Sequence, residues 1–162
     1  MNTKIVFTLL AVFLLATLVT TSGPSAAAAA DASTASGSGS FFHLEEVAFS
    51  FSATVNAGTT SGKGTAQFDY LGSQTQVSVR LNCVKIIGSE VTMSGKVVES
   101  DDPDFPKNSN VVFGAIDGAI SPIPFFVDRI TPLFVRNPGI NCNDGLPLPQ
   151  LVPEEGGVVI IP

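Results

Sequence analysis

Tryptophan is absent from this chain, and tyrosine and histidine occur once each, as Tyr70 and His43. A carbohydrate cleft built on indole platforms is thereby excluded, and a glycosidase or lectin would have only Tyr70 to stack on a sugar. A Ser-His-Asp triad or a Cys-His dyad would have to run through His43, which stands between Phe42 and Leu44 and reads as surface decoration at a domain edge. Two cysteines and one histidine are too few ligands for a structural zinc site. No G-x-S-x-G, H-E-x-x-H or P-loop pattern occurs, so hydrolase and nucleotide-binding readings have no motif behind them. Nor does any window of ten or more residues beyond residue 31 carry a capped 3.6-residue apolar period, which leaves a helical fold without support.

What is present begins with the first 30 residues. Lys4, an apolar stretch over 5–19 and a small-residue tract over 25–30 with several A-x-A frames form the three regions of a secretory signal peptide. Cleavage is expected near Ala30, before Asp31. A retained anchor is the competing reading, because the stretch plus its alanines approaches the roughly 20 residues of a spanning helix. Thr8, Thr17, Thr20, Thr21 and the Gly23-Pro24 break argue against it. No cysteine follows the cleavage region to carry a lipid, and residues 156–162 are too few to cross a bilayer. The expected organisation is a signal peptide over 1–30, a flexible Ser/Gly/Ala linker over 31–40 (DASTASGSGS) and one β-rich domain over 41–162, secreted and free of the membrane.

About 130 residues beyond the leader suffice for one core and are too few for two. Without Lys4, seven basic residues oppose fourteen acidic ones, a formal charge of −7. Such a domain repels phosphate backbones and anionic headgroups, which disfavours nucleic acid and membrane surfaces and favours cations or basic partners. Net charge also serves the solubility of an exported protein. Cys83 and Cys142 form an even pair in an oxidising compartment and are expected to be disulfide-bonded, closing a loop of about 60 residues and contributing roughly 4 kcal/mol in the chain-entropy model.

Val47, Phe49, Phe51, Ala53 and Val55 alternate with polar residues, the period of a half-buried strand. After the turn residues 56–62, Gly64, Ala66, Phe68 and Tyr70 form a second alternating face and complete a hairpin. Val77, Val79, Leu81 and Cys83 share the core face of the next strand, and Gly88-Ser89 turns the chain into Val91, Met93, Gly95 and Val97. Gly95 marks a bulge or a close backbone approach. Residues 100–110 form a loop, 111–117 an apolar strand, and short strands are expected over 129–135 and 158–161 among irregular proline-rich connections. The predicted fold class is all-β, a single antiparallel β-sandwich or small barrel.

Paired carboxylates are available at Glu45-Glu46, Asp101-Asp102 and Glu154-Glu155, but neighbours along a strand point to opposite faces and cannot form a facing catalytic pair by themselves. Asp101, Asp102 and Asp104, near Asn108 and Asn110, make the best candidate site, since Ca²⁺ takes oxygen ligands from carboxylate-rich loops. The spacing is not that of an EF-hand, Pro103 and Pro106 stiffen the segment, and a solvated loop is the competing reading. Asp117-Gly118 and Asn143-Asp144-Gly145 read as turns.

Taken together, the signal peptide, AFSFSATV, KGTAQFDY, VSVRLNCVKIIG, VTMSGKV, DRITP and the closing LPLPQL with GGVVII resemble a group of small exported bacterial proteins, often actinobacterial, with post-COAP-type domains. The resemblance covers most of the chain beyond the leader and implies a secreted β-rich domain with no family active site to transfer. Members often carry an Asp-Asn-Gly type turn where this chain has Asp117-Gly118. The expected function is a non-enzymatic binding or structural module whose partner is an extracellular protein or a cell-surface component. The alternatives are a Ca²⁺-dependent adhesion domain using the 101–110 loop and a small secreted hydrolase or isomerase with carboxylate chemistry.

Overall fold

The structure, a computed structural model, describes residues 32–56, 59–120, 127–136, 142–143 and 150–162. The expected signal peptide and its cleavage frames lie outside the described residues, as do Asp144 and Gly145. Among the described residues there is no helix, and nine strands run in chain order as β1 Ala32–His43, β2 Glu45–Asn56, β3 Gly62–Tyr70, β4 Thr75–Ile87, β5 Glu90–Ser100, β6 Asn110–Ile116, β7 Arg129–Ile130, β8 Phe134–Arg136 and β9 Glu155–Ile161.

They form one antiparallel sheet in the order β7-β6-β5-β4-β3-β2-β1-β9, with β8 also pairing β6. The sheet curls until its two ends face each other, a nearly closed barrel. From β1 to β6 every neighbour in the sheet is the neighbour in sequence, as hairpin-joined strands require. The alternation legible in the sequence places Val47, Phe49, Phe51, Ala53 and Val55 of β2, Ala66 and Phe68 of β3, and Val91, Met93 and Val97 of β5 in a single core. Phe41, Phe68 and Phe113 are among its largest fully buried side chains.

Two expectations are corrected. Residues 32–40, expected as part of a flexible linker, belong to β1, which pairs residue for residue with β2 from Ala32↔Asn56 to His43↔Glu45 and with β9 on its other side. Small side chains here serve close packing rather than flexibility. A Cβ on Gly37 would stand 2.6 Å from the Phe51 ring, and one on Gly39 would strike the Glu155 carbonyl. Gly156, paired with Gly39, has φ of 85°, a conformation that glycine adopts freely. Ala35 and Phe41 supply the buried side chains at the ends of the tract.

Cys83, expected on the core face of β4, is not there. The register shifts between Leu81 and Cys83, where Asn82 is the extra residue of a β-bulge, so Val84 takes the inward position and Cys83 turns outward. Gly95 lies opposite Leu81 at this irregularity, and a Cβ there would strike the Arg80 carbonyl, the close approach that the glycine signals.

Closure between the two sheet ends uses side chains. Asp117, just after β6 and 3 % exposed, accepts from the Ile160 N–H at 3.0 Å and the Ala119 N–H at 2.8 Å. Asp128, just before β7, accepts from the N–H groups of Val158 and Gly118, both at 2.8 Å. The two carboxylates thus take up N–H groups on the edge of β9 that faces away from β1, which would otherwise be open donors on an edge strand. A backbone pair between Ile130 and Leu151 adds two bonds beside them, at 2.9 and 2.8 Å.

Candidate functional site

The barrel interior is filled by packed rings. Phe113 meets Phe68 edge-on with centroids 5.1 Å apart and Phe51 at 5.9 Å, and Phe41 lies against Phe49 at 5.8 Å. These edge and tilted contacts fill the space a ligand would need. Chemistry has to be sought on the outer wall or at the ends of the strands.

On the outer wall of β2 to β5 lies a hollow of about 400 Å³, lined by Ser50, Ser52, Thr65, Gln67, Ser78 and Arg80 with Val98 at its β5 side. It follows directly from strand alternation, because these are the outward partners of the core residues between them. The register aligns them in rungs. Ser36, Ser52, Thr65, Arg80 and Lys96 lie side by side across β1 to β5, and Ser38, Ser50, Gln67, Ser78 and Glu99 form the next rung. A bulge at Val98 separates the β5 ends of these two rungs. The lining offers hydroxyl, amide and guanidinium groups. It includes no carboxylate and no imidazole, so it holds neither an acid/base pair nor a nucleophile with a base.

Farther along, the same wall is closed over. Ser94 of β5 pairs with both Cys83 and Val112, and Ser94 and Val112 are buried although they point away from the core cluster. Cys83 is bonded to the fully buried Cys142, with Cα atoms 5.7 Å apart, so the disulfide holds Cys142 against the outside of the barrel. Both sulfurs are committed, and a thiol nucleophile is excluded. His43 is half-buried at the β1–β2 hairpin tip, opposite Glu45, whose carboxylate accepts from the Ser73 N–H at 2.7 Å and the Ser73 hydroxyl at 3.2 Å.

The structure does not bring Asp101, Asp102 and Asp104 together as a calcium site. Asp101 caps the Gln76 N–H. Asp102 accepts from the Thr75 hydroxyl at 3.0 Å and from the Asp104 N–H at 2.8 Å, while its own N–H donates to the Ser100 hydroxyl at 3.0 Å. The carboxylates of Asp101 and Asp102 tie the segment after β5 to the start of β4, and among the described residues no group of three or more His, Cys, Asp or Glu is arranged to hold a metal. Glu154 and Glu155 are exposed and adjacent on the approach to β9.

Tyr70 lies at this acidic end, its ring stacked on Phe105 with centroids 5.7 Å apart. Burial, reinforced by the carboxylates of Asp102, Glu45 and Asp104, pushes its phenol well above the ordinary tyrosine value. The phenol is therefore a neutral packing group and no base at physiological pH.

Sequence reasoning missed the Asp117 and Asp128 clamp and the outer hollow. Asp117 looked like a turn residue, and an isolated aspartate at 128 carries no pattern. The hollow was visible in part, as the polar half of each alternation, but which polar residues adjoin depends on register. Comparison with known protein families, curated proteins and solved structures finds no match to this chain.

Proposed function

We propose that this protein is an exported β-barrel that works by binding through its outer wall, without catalysis, at or beyond the cell surface. The observation that carries the reading is the contrast between an interior packed with phenylalanine and an outer hollow of about 400 Å³ lined by hydrogen-bonding groups, with no carboxylate or imidazole among them. Export rests on the leader pattern, and the disulfide is compatible with an oxidising compartment. Cleavage after Ala30 would leave one residue before β1, so removal of the leader leaves the barrel whole.

Two measurements test the reading. Mass spectrometry of the chain recovered from culture medium should give a form beginning near Asp31. Incubation of that form with chromogenic glycosides, esters and peptides should give no turnover. Retention in the cytoplasm, or turnover that substitution of a single carboxylate abolishes, would overturn it.

A further inference from the structure

The outer hollow is asymmetric in charge within an acidic protein. Arg80 and Lys96 are direct cross-strand partners, both exposed, at one end of the rung that runs through Thr65 and Ser52. Like charges in this position stand about 5 Å apart at Cβ and oppose sheet formation. In a chain of net charge −6, a carboxylate opposite Arg80 would have been the stabilising choice. Neither cation makes an ion pair with a described residue. Of the carboxylates on this stretch of wall, Glu99 stands opposite Ser78 on the neighbouring rung, and Asp69 is engaged by the amides of Gln67 at 3.0 Å and Gln76 at 2.8 Å. Two adjacent unpaired cations therefore flank a polar hollow whose other linings donate and accept hydrogen bonds.

We infer that the hollow binds an anionic polysaccharide, with Arg80 and Lys96 holding a carboxylate or sulfate of the chain while Ser50, Ser52, Thr65, Gln67 and Ser78 meet its hydroxyls. The inference rests on the binding-module reading and names its ligand class. A guanidinium fork matches an oxyanion in two parallel hydrogen bonds, and an ammonium beside it adds a point charge. The lack of tryptophan, which removes the stacking platform that neutral sugars favour, matters less for a ligand held by charge-assisted bonds. Neighbours within a rung about 4.8 Å apart and successive rungs about 6.7 Å apart along the strands give repeated polar contacts to an extended ligand. The overall negative charge does not forbid this, because at physiological salt its field is screened beyond about 8 Å and the hollow presents its own cations.

The test is amide chemical-shift mapping of the oxidised chain from Asp31 to Pro162, titrated separately with oligogalacturonate, sulfated dextran oligosaccharide and neutral malto-oligosaccharide. The expected result is saturable shifts on the outward residues of β2 to β4 with one or both anionic probes and none with the neutral one. The two anionic arms show whether carboxylate or sulfate is preferred. Arg80→Ala should weaken binding about tenfold, Arg80→Lys less, and Arg80→Ala with Lys96→Ala should abolish it. Glu99→Gln should strengthen it. All four changes sit on an exposed face, and retained signal dispersion confirms folding. Failure of both anionic probes to shift these residues, or equal response to the neutral probe, would overturn the ligand assignment. The binding-module reading is separately overturned only by turnover or cytoplasmic retention.

Discussion

Two halves of this barrel are held by different means. From β1 to β5, long strands pair through extended backbone ladders, interrupted on β4–β5 by the bulges at Asn82 and Val98, and neighbours in space are neighbours in sequence. Between β6 and β9 the pairing segments are short, and the gap is spanned by Asp117, Asp128 and the Ile130–Leu151 bridge, with the Cys83–Cys142 bond pinning Cys142 to the outer wall. A ladder spreads its energy over many weak and interchangeable bonds. A seam concentrates it in a few groups whose loss leaves buried N–H donors without partners. The open wall with the polar hollow belongs to the first half, which can leave its outer face free because its backbone bonds need no further cover.

The largest expected effect comes from the disulfide. Cys83→Ser with Cys142→Ser releases a loop spanning 59 residues, and the chain-entropy model puts the cost at about 4 kcal/mol. Urea unfolding of the oxidised and double-serine forms measures it. Hydrogen exchange should place the loosening at β6 and β9 first, with β2 to β4 retaining protection. Uniform loss across the barrel would show that the two halves form one cooperative unit and erase the distinction.

Next in size is Asp117→Ala, which strands the N–H groups of Ile160 and Ala119 and should cost about 3 kcal/mol, since hydrogen bonds to a charged partner contribute about 1.5–3 kcal/mol each. Asp117→Asn retains one acceptor oxygen and should cost about half as much by the same reasoning. A matched change in the ladder half is Gly37→Ala, where the new methyl meets the Phe51 ring. Overpacking of this kind costs about 1–3 kcal/mol, and Phe51→Leu on the same chain should recover part of it. If Gly37→Ala proves neutral, close approach is not what fixes β1, and the composition of that strand needs another cause.

The same division explains what was legible in the sequence. Strands β2 to β5 could be read from alternation because each buries one face of ordinary hydrophobic residues. β1 could not, since Gly37 and Gly39 occupy positions where the neighbour's ring or backbone comes too close for a side chain, and a Gly/Ser tract in isolation looks like a linker. Asn82 carries no mark of the bulge that turns Cys83 outward, because a bulge is a property of two strands in register. The clamp depends on Asp117 and Asp128 meeting β9, which lies about 30 or more residues away. For the hollow, the polar residues were readable one strand at a time, but the adjacency of Arg80 and Lys96 required the register. The acidic 101–110 loop misled in the opposite direction, because Asp101 and Asp102 spend their carboxylates on separate backbone and hydroxyl donors.

The smallest expected effect lies at the acidic end of the ladder half and appears only in alkali. An unfolded tyrosine ionises near pH 10, whereas folded Tyr70 holds its proton above that pH because burial and the nearby carboxylates disfavour phenolate. Below pH 10 both states are protonated and the group adds no pH dependence. Above it the unfolded state binds fewer protons than the folded one, so stability falls as pH rises, by at most about 1.4 kcal/mol per pH unit for this one group. Tyr70 is the only tyrosine, so ultraviolet tyrosinate absorbance reports on it alone. That absorbance should rise together with unfolding rather than before it. Tyr70→Phe, which keeps a ring to stack on Phe105, should move the alkaline unfolding midpoint upward while changing stability at neutral pH by less than about 1 kcal/mol. A smooth titration near pH 10 with the fold intact would mean that this end of the ladder half admits water, and that its ladders are less continuous protection than the seam they are contrasted with.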